Sequence, residues 1–261
     1  MILAKFAATA SNVFTPLEVN PTAWWDASNS ASITHVGGSV SQWDDLSGNG
    51  YHLTQGTGAY QPVTNSSTLN GLNVLEFVNA NMGNTPASNW KFLHDGTTTL
   101  LMMVAKENVS AGGFAWYFNT STSTSSIGYI LAMDDGTPNK ALFHFVSRGS
   151  SPAPVDNTTG NNVVVADTFS IMQVLADPDN GTAADRSEIF VNGGTASKNN
   201  TSTSTPSASN PTNGLAIGRA SNVAAGNING AIAEMIVVQG ADATDANRLI
   251  LLDYLQAKWG L

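Results

Sequence analysis

The stretch that decides the fold is Gly230-Ala231-Ile232-Ala233-Glu234-Met235-Ile236-Val237-Val238. At the two-residue period of a strand, Ile232, Ile236 and Val238 share a face with Glu234. Ala231, Ala233, Met235 and Val237 share the other, so both faces are largely apolar. A strand wetted on one side would alternate apolar with polar; this one predicts cover on both sides, in the middle of a layered sandwich. The next segment supplies one such cover. Asp242 or Thr244 can cap a helix, Asp245 puts a negative charge in its first turn, and Leu249, Leu252 and Leu255 recur at helical spacing. Ile250, Leu251 and Tyr254 broaden that stripe. Lys258 suits the last turn, and Gly260 suits the left-handed residue after it.

Outward from this pair, the chain is a series of turn-punctuated strands. Segments 128–133 and 140–146 flank Asp134-Asp135-Gly136-Thr137, whose Asp-Gly step predicts a hairpin. Segments 168–176 and 186–191 flank a nine-residue connection, and 100–105, 114–118 and 215–217 supply further strands. About a dozen strands with one terminal helix predict an all-β, two-sheet antiparallel sandwich. Only 11% of the 261 residues are charged, against roughly 25% in ordinary globular chains, and 24 are Gly. Ser, Thr and Asn supply the missing polarity, which favours strands and turns over salt-bridged helices. The tract 194–214 is rich in these residues and carries Pro206 and Pro211. Such a composition suits either a linker or a long surface loop. The segment after it is too short to enclose a core, so a loop within one domain spanning 20–261 is expected.

Charge and composition exclude several functions. Ten basic residues against 19 acidic ones leave a net charge of −9, with no basic stripe for a nucleic-acid backbone. The absence of cysteine removes disulfides, thiolate zinc sites and cysteine nucleophiles. Apolar runs fall far short of the roughly 20 residues that span a bilayer, so no membrane insertion is expected. Met1 to Phe6 start like a signal peptide, but Asn12 and Thr15-Pro16 interrupt the apolar stretch. Residues 1–19 are therefore expected to be a retained arm, with Met1, Ile2, Leu3, Phe6 and Phe14 docking onto a partner subunit.

Five motifs in order carry a family resemblance. They are Ala23-Trp24-Trp25-Asp26-Ala27-Ser28 with Val40-Ser41-Gln42-Trp43-Asp44-Asp45-Leu46-Ser47-Gly48-Asn49-Gly50; Gly71 to Phe77; Ile189-Phe190-Val191-Asn192-Gly193; Leu215-Ala216-Ile217-Gly218; and Gly230 to Val238 with Leu252 to Leu261. This order resembles the laminin-G-like, concanavalin A-like jelly-roll modules of bacteriophage structural proteins and bacterial surface proteins. The resemblance covers about residues 20–261 and implies a jelly roll. It also implies a calcium at the sandwich rim, held by aspartates and carbonyls. Asp177, Asp179 and Asp185 offer oxygen ligands suited to such a hard cation, although solvated carboxylates in a turn are the plainer reading. Asp134 and Asp135 invite the same two readings.

Catalysis finds little support. A jelly-roll glycanase would carry Glu-x-Asp-x-Glu on one strand, whereas Glu18, Glu76, Glu107, Glu188 and Glu234 stand far apart. His35, His52, His94 and His144 lack metal spacing, and neither Gly-x-Ser-x-Gly nor a phosphate-binding loop occurs. His144, between Phe143 and Phe145 and facing opposite to both, suits a structural histidine. Trp24, Trp25, Trp43 and Trp259 suit the core, as do Trp116 and Tyr117. Trp90, with Asn89 and other polar neighbours, is the best single candidate for stacking on a sugar. The expected function is a non-catalytic bacteriophage virion surface protein, a capsid decoration or tail-associated module. It would be multicopy on the particle, partnered by capsid or tail subunits and adhering weakly to host-surface glycans. The alternative is a secreted or cell-surface lectin; a glycoside hydrolase ranks third. No cofactor is required beyond that possible calcium.

Overall fold

A computed structural model describes residues 14–108, 114–134, 141–161, 163–220 and 227–261. The first half contains β1 (Ala23–Asp26), β2 (Ile33–Val36), β3 (Ser39–Trp43), β4 (Leu53–Thr54), β5 (Thr68–Leu69), β6 (Leu72–Asn73), β7 (Leu75–Val78), β8 (Met82–Asn84) and β9 (Thr99–Glu107). The second contains β10 (Phe114–Asn119), β11 (Gly128–Asp134), β12 (Ala141–Ser147), β13 (Val155–Thr158), β14 (Ser170–Ala176), β15 (Ser187–Val191), β16 (Leu215–Ile217), β17 (Asn229–Gln239) and the helix α1 (Asp245–Trp259). One sheet runs β1-β17-β9-β14-β15, with β7 also on β17; the other runs β13-β12-β11-β10-β16-β8-β4-β3-β2. β5 and β6 pair with each other, and these ladders are antiparallel throughout. The fold is the expected all-β sandwich with one C-terminal helix.

Three layers arise from where apolar side chains go. Leu101, Met103, Met172, Val174, Met235 and Val237 of the six-stranded sheet face Tyr117, Leu131, Leu142, Val146 and Ile217 of the nine-stranded one. On the other side of the six-stranded sheet, Leu100, Met102, Val104, Ile236 and Val238 pack against Leu251, Leu252, Leu255 and Trp259 of α1. That sheet is therefore the middle layer. β17 runs along it, buried from Gly230 to Val238, as its two apolar faces require.

The faces of β17 are not the ones its period suggests. Its register against β9 shifts between Ile232 and Glu234. This bulge inserts one extra residue. Ile232 thus faces the inter-sheet core with Met235 and Val237, while Ala231, Ala233, Ile236 and Val238 face the helix. The helix also departs in detail. Thr244 caps it, its Oγ1 accepting from the Asn247 N–H, and Gly260 ends it at φ 71°. Leu249 and Ile250, expected on the buried stripe, lie exposed. The inward line is Arg248, Leu251, Leu252, Leu255 and Trp259, a spacing that seats Trp259 fully inside. Arg248 donates to Asp245 and Gln173 and lies over the Phe190 ring. No helix among the described residues is long and apolar enough to cross a membrane.

Candidate functional site

Two places concentrate chemistry, and they lie on opposite outer faces. Beneath α1, the β17 bulge brings Glu234 to the sheet–helix boundary. Its carboxylate accepts from Trp24 Nε1 (2.7 Å), Tyr254 OH (2.9 Å), Lys258 Nζ (2.8 Å) and Trp259 Nε1 (2.8 Å). Lys258 also pairs with Asp26 Oδ2 at 2.6 Å. Burial raises the Glu234 carboxyl above its ordinary range, against the pull of the Lys258 ammonium. Burial, then the charges of Glu234 and Asp26, push the Tyr254 phenol up as well. Glu234 is wholly buried and its acceptor positions are filled. This cluster explains the Trp-Trp-Asp, Ala-Glu-Met and Ala-Lys-Trp motifs as a lock between strand ends and helix.

The other place is the outer face of the nine-stranded sheet. Along β12, Leu142, His144 and Val146 point into the sandwich, which sends Phe143 and Phe145 outward. Their rings stack with centroids 5.7 Å apart and planes 17° from parallel. Register sets Ala132 between Trp116 and Phe143, and Thr158 beyond Phe143. The small Ala132 leaves the two large rings unburied between them. Trp116 and Phe143 stay partly exposed, and Phe114 is 43% exposed with its ring 5.7 Å from that of Phe143. Tyr117 is in the core as expected; Trp116 is not, because neighbours on a strand alternate faces.

A cleft of about 580 Å³ opens over the β12–β13 side of this face. Phe143 and Phe145 form its floor, and Pro152 and Ala153 add apolar surface. Thr124, Ser125, Ser150, Ser151, Thr201, Ser202 and Thr203 supply hydroxyls, and Asp156 a carboxyl. Among the described residues nothing donates to that carboxyl. The walls are held from behind. Ser147 Oγ donates to Thr124 O at 2.8 Å. Asn200 Oδ1 accepts the Asp156 N–H, while its amide donates to Pro154 O and Ala183 O. Arg186 donates to the carbonyls of Ser202 (2.8 Å) and Ser204 (3.1 Å), and His94 Nε2 meets Ser209 O at 2.9 Å. The Ser/Thr/Asn tract is thus stitched to the sandwich and forms one wall of the cleft. Beneath the floor, His144 is wholly buried with Nδ1 2.7 Å from Ser187 Oγ, and burial lowers its pKa to about 3.

A second hollow of about 690 Å³ lies on α1 between Phe14 and Tyr254. Its lining is largely apolar and offers few groups to orient a polar ligand. Phe14, expected to dock a partner, sits edge-on to Tyr254 of its own chain with centroids 5.7 Å apart. Met1, Ile2, Leu3 and Phe6 lie outside the described residues, as do Asp135 and the Asp134 side chain.

The structure corrects two sequence-based candidates. Trp90 is fully buried on a 3-10 helix (Ala87–Leu93), its indole N–H donating to Asn84 Oδ1 at 2.9 Å and its ring against Trp25, Tyr51 and Phe118. No sugar can stack there; Asn89 beside it is half-buried. Among the described residues no three His, Cys, Asp or Glu side chains converge on a metal position. Asp177 accepts from the Asn180 amide, Asp185 pairs with Lys198 at 3.3 Å, and Asp179 is exposed beside Gly96. The three aspartates do not fit a calcium. The cleft was missed, although Phe143-His144-Phe145 announces two aromatics on the face opposite a histidine.

Neither a protein-family model nor a curated protein matches this chain. Solved structures of similar fold include a Trypanosoma rangeli sialidase, with TM-score 0.55 and 10% identity over 89% of this chain and 32% of the sialidase. The binding domain of botulinum neurotoxin serotype D gives TM-score 0.54 and 8% identity, over 92% of this chain and 53% of that one. Domain 4 of a GH43 extracellular arabinanase from Geobacillus stearothermophilus, solved in complex with arabinotriose, gives 0.51 and 13%, over 86% and 97%. This chain therefore spans a third of the sialidase and about half of the toxin domain. At such identities the likeness is one of fold, a β-sandwich.

Proposed function

We propose that residues 20–261 form one non-catalytic carbohydrate-binding module, acting outside the cell or at a surface, with residues 14–19 packed on its helix side. The observation that carries this reading is the cleft itself. Apolar ring faces suit the C–H faces of a sugar, and wall hydroxyls with a carboxyl that accepts from no described residue suit its O–H groups. The fold likeness adds support, since 97% of the arabinanase domain, which holds arabinotriose, is matched. Hydrolysis in its usual form needs two carboxyls facing across the bond, whereas the described residues of the cleft lining offer one, Asp156. The virion reading drawn from the family resemblance gains nothing from these likenesses, and Phe14 is engaged with its own helix.

The test is a glycan array followed by titration calorimetry on the whole chain. A single shallow site predicts a dissociation constant near millimolar, about −4 kcal/mol. Phe143→Ala should abolish the heat while the protein stays folded. Binding unchanged by Phe143→Ala would move the site elsewhere, and release of reducing sugar would overturn the non-catalytic reading.

A further inference from the structure

We infer that the cleft selects uncharged sugars, pentose or hexose oligosaccharides, over acidic ones such as sialic acids and uronates. The inference rests on the carbohydrate-binding reading and sharpens it. Among the described residues Asp156 is the one formally charged residue in the lining, and it is negative. An acidic sugar would have to bring a second carboxylate beside it, and the two like charges repel. A neutral sugar offers hydroxyl donors, and a carboxylate that accepts no hydrogen bond from described residues can take two of them as charge-assisted bonds.

The described cations nearest the cleft are each engaged with groups of the protein. No described lysine or arginine lines the cleft. Arg148, nearest along the chain, donates to Ser150 Oγ, Thr205 O and Thr205 Oγ1. Arg186 lies buried behind the wall on the carbonyls of Ser202 and Ser204. Lys198 is paired with Glu188 at 2.7 Å and with Asp185. The wall hydroxyls can donate, but they lack the charged fork with which arginine recognises carboxylates. The fold neighbours do not decide this point; the lining does.

The experiment is calorimetry on the whole chain with α-1,5-arabino-oligosaccharides, β-gluco-oligosaccharides, sialyllactose and oligogalacturonate. The expected result is a preference of about ten-fold or more for the best neutral probe. Asp156→Asn should weaken that probe by about ten-fold and raise the relative binding of the acidic ones, with an unchanged unfolding midpoint because the side chain is exposed. Tighter binding of an acidic probe, lost in Phe143→Ala, would overturn the selectivity while leaving a glycan-binding module. An Asp156→Asn protein with the wild-type neutral-to-acidic ratio would also overturn it. No binding of either class would overturn both readings.

Discussion

The pocket beneath α1 and the cleft over β12 are both rich in aromatic and polar residues, yet they are opposite in kind. Under the helix every strong donor meets an acceptor: two indole N–H groups, a phenol and an ammonium converge on Glu234. In the cleft the Phe143 ring is part-exposed and the Asp156 carboxyl has no described donor. A satisfied cluster lowers the cost of its own burial and has nothing left to offer a ligand. An unsatisfied one at the surface does. Motif density therefore marks the lock, and unspent hydrogen-bonding capacity marks the site.

The largest effects should fall on the lock. Trp259→Ala empties a fully buried position and should cost roughly 3–5 kcal/mol. Glu234→Ala should cost a similar amount, because it strips a mostly buried Lys258 of one of its two carboxylate partners. Urea unfolding measures both. A loss under about 1 kcal/mol in either would erase the distinction between the two regions.

Acid should act next, and from the cleft side. His144 sits under the cleft floor with its pKa lowered to about 3 by burial. The unfolded chain binds the proton near pH 6.5 while the folded one resists it, so stability is full above that pH and falls as pH drops towards 3. The slope is about 1.4 kcal/mol per unit, or roughly 2 kcal/mol between pH 6.5 and 5. Burial lowers His94 in the same direction, whereas the upward shift of Glu234 has the opposite sign. Urea unfolding at pH 7 and 5 should show the loss, and His144→Gln should flatten it. An equal loss in that variant would assign acid sensitivity to other groups.

Two smaller changes separate the regions cleanly. Trp116→Ala, on the rim of the aromatic face, should lower glycan affinity by about 1 kcal/mol with a smaller stability loss than Trp259→Ala. Thr244→Ala removes the helix cap and should cost about 1 kcal/mol of stability with no change in affinity. If the cap variant weakened binding, the lock and the cleft would be coupled rather than independent.

Much of the framework was legible along the chain. The two-faced apolar run of β17, the cap and stop of α1, and the β11–β12 and β14–β15 pairs all rest on periods and turn residues that act within a few positions. The bulge at Glu234 was not legible, because one inserted residue leaves composition unchanged and reverses the faces beyond it. Trp90 misled for a related reason: its sequence neighbours are polar, but a 3-10 turn points it inward. Asp177, Asp179 and Asp185 are close in sequence, yet their side chains do not converge on one metal position. The cleft lay furthest from view, since Phe143, Asp156 and Thr201 come from separate segments. Local sequence alone determined the strands β9 to β12 and β14 to β17 and where the helix starts and stops, through steric and hydrogen-bonding preferences of near neighbours. Only the tertiary structure decided which faces meet and which carboxylates are spent, because pairing register is set by burial summed over both sheets.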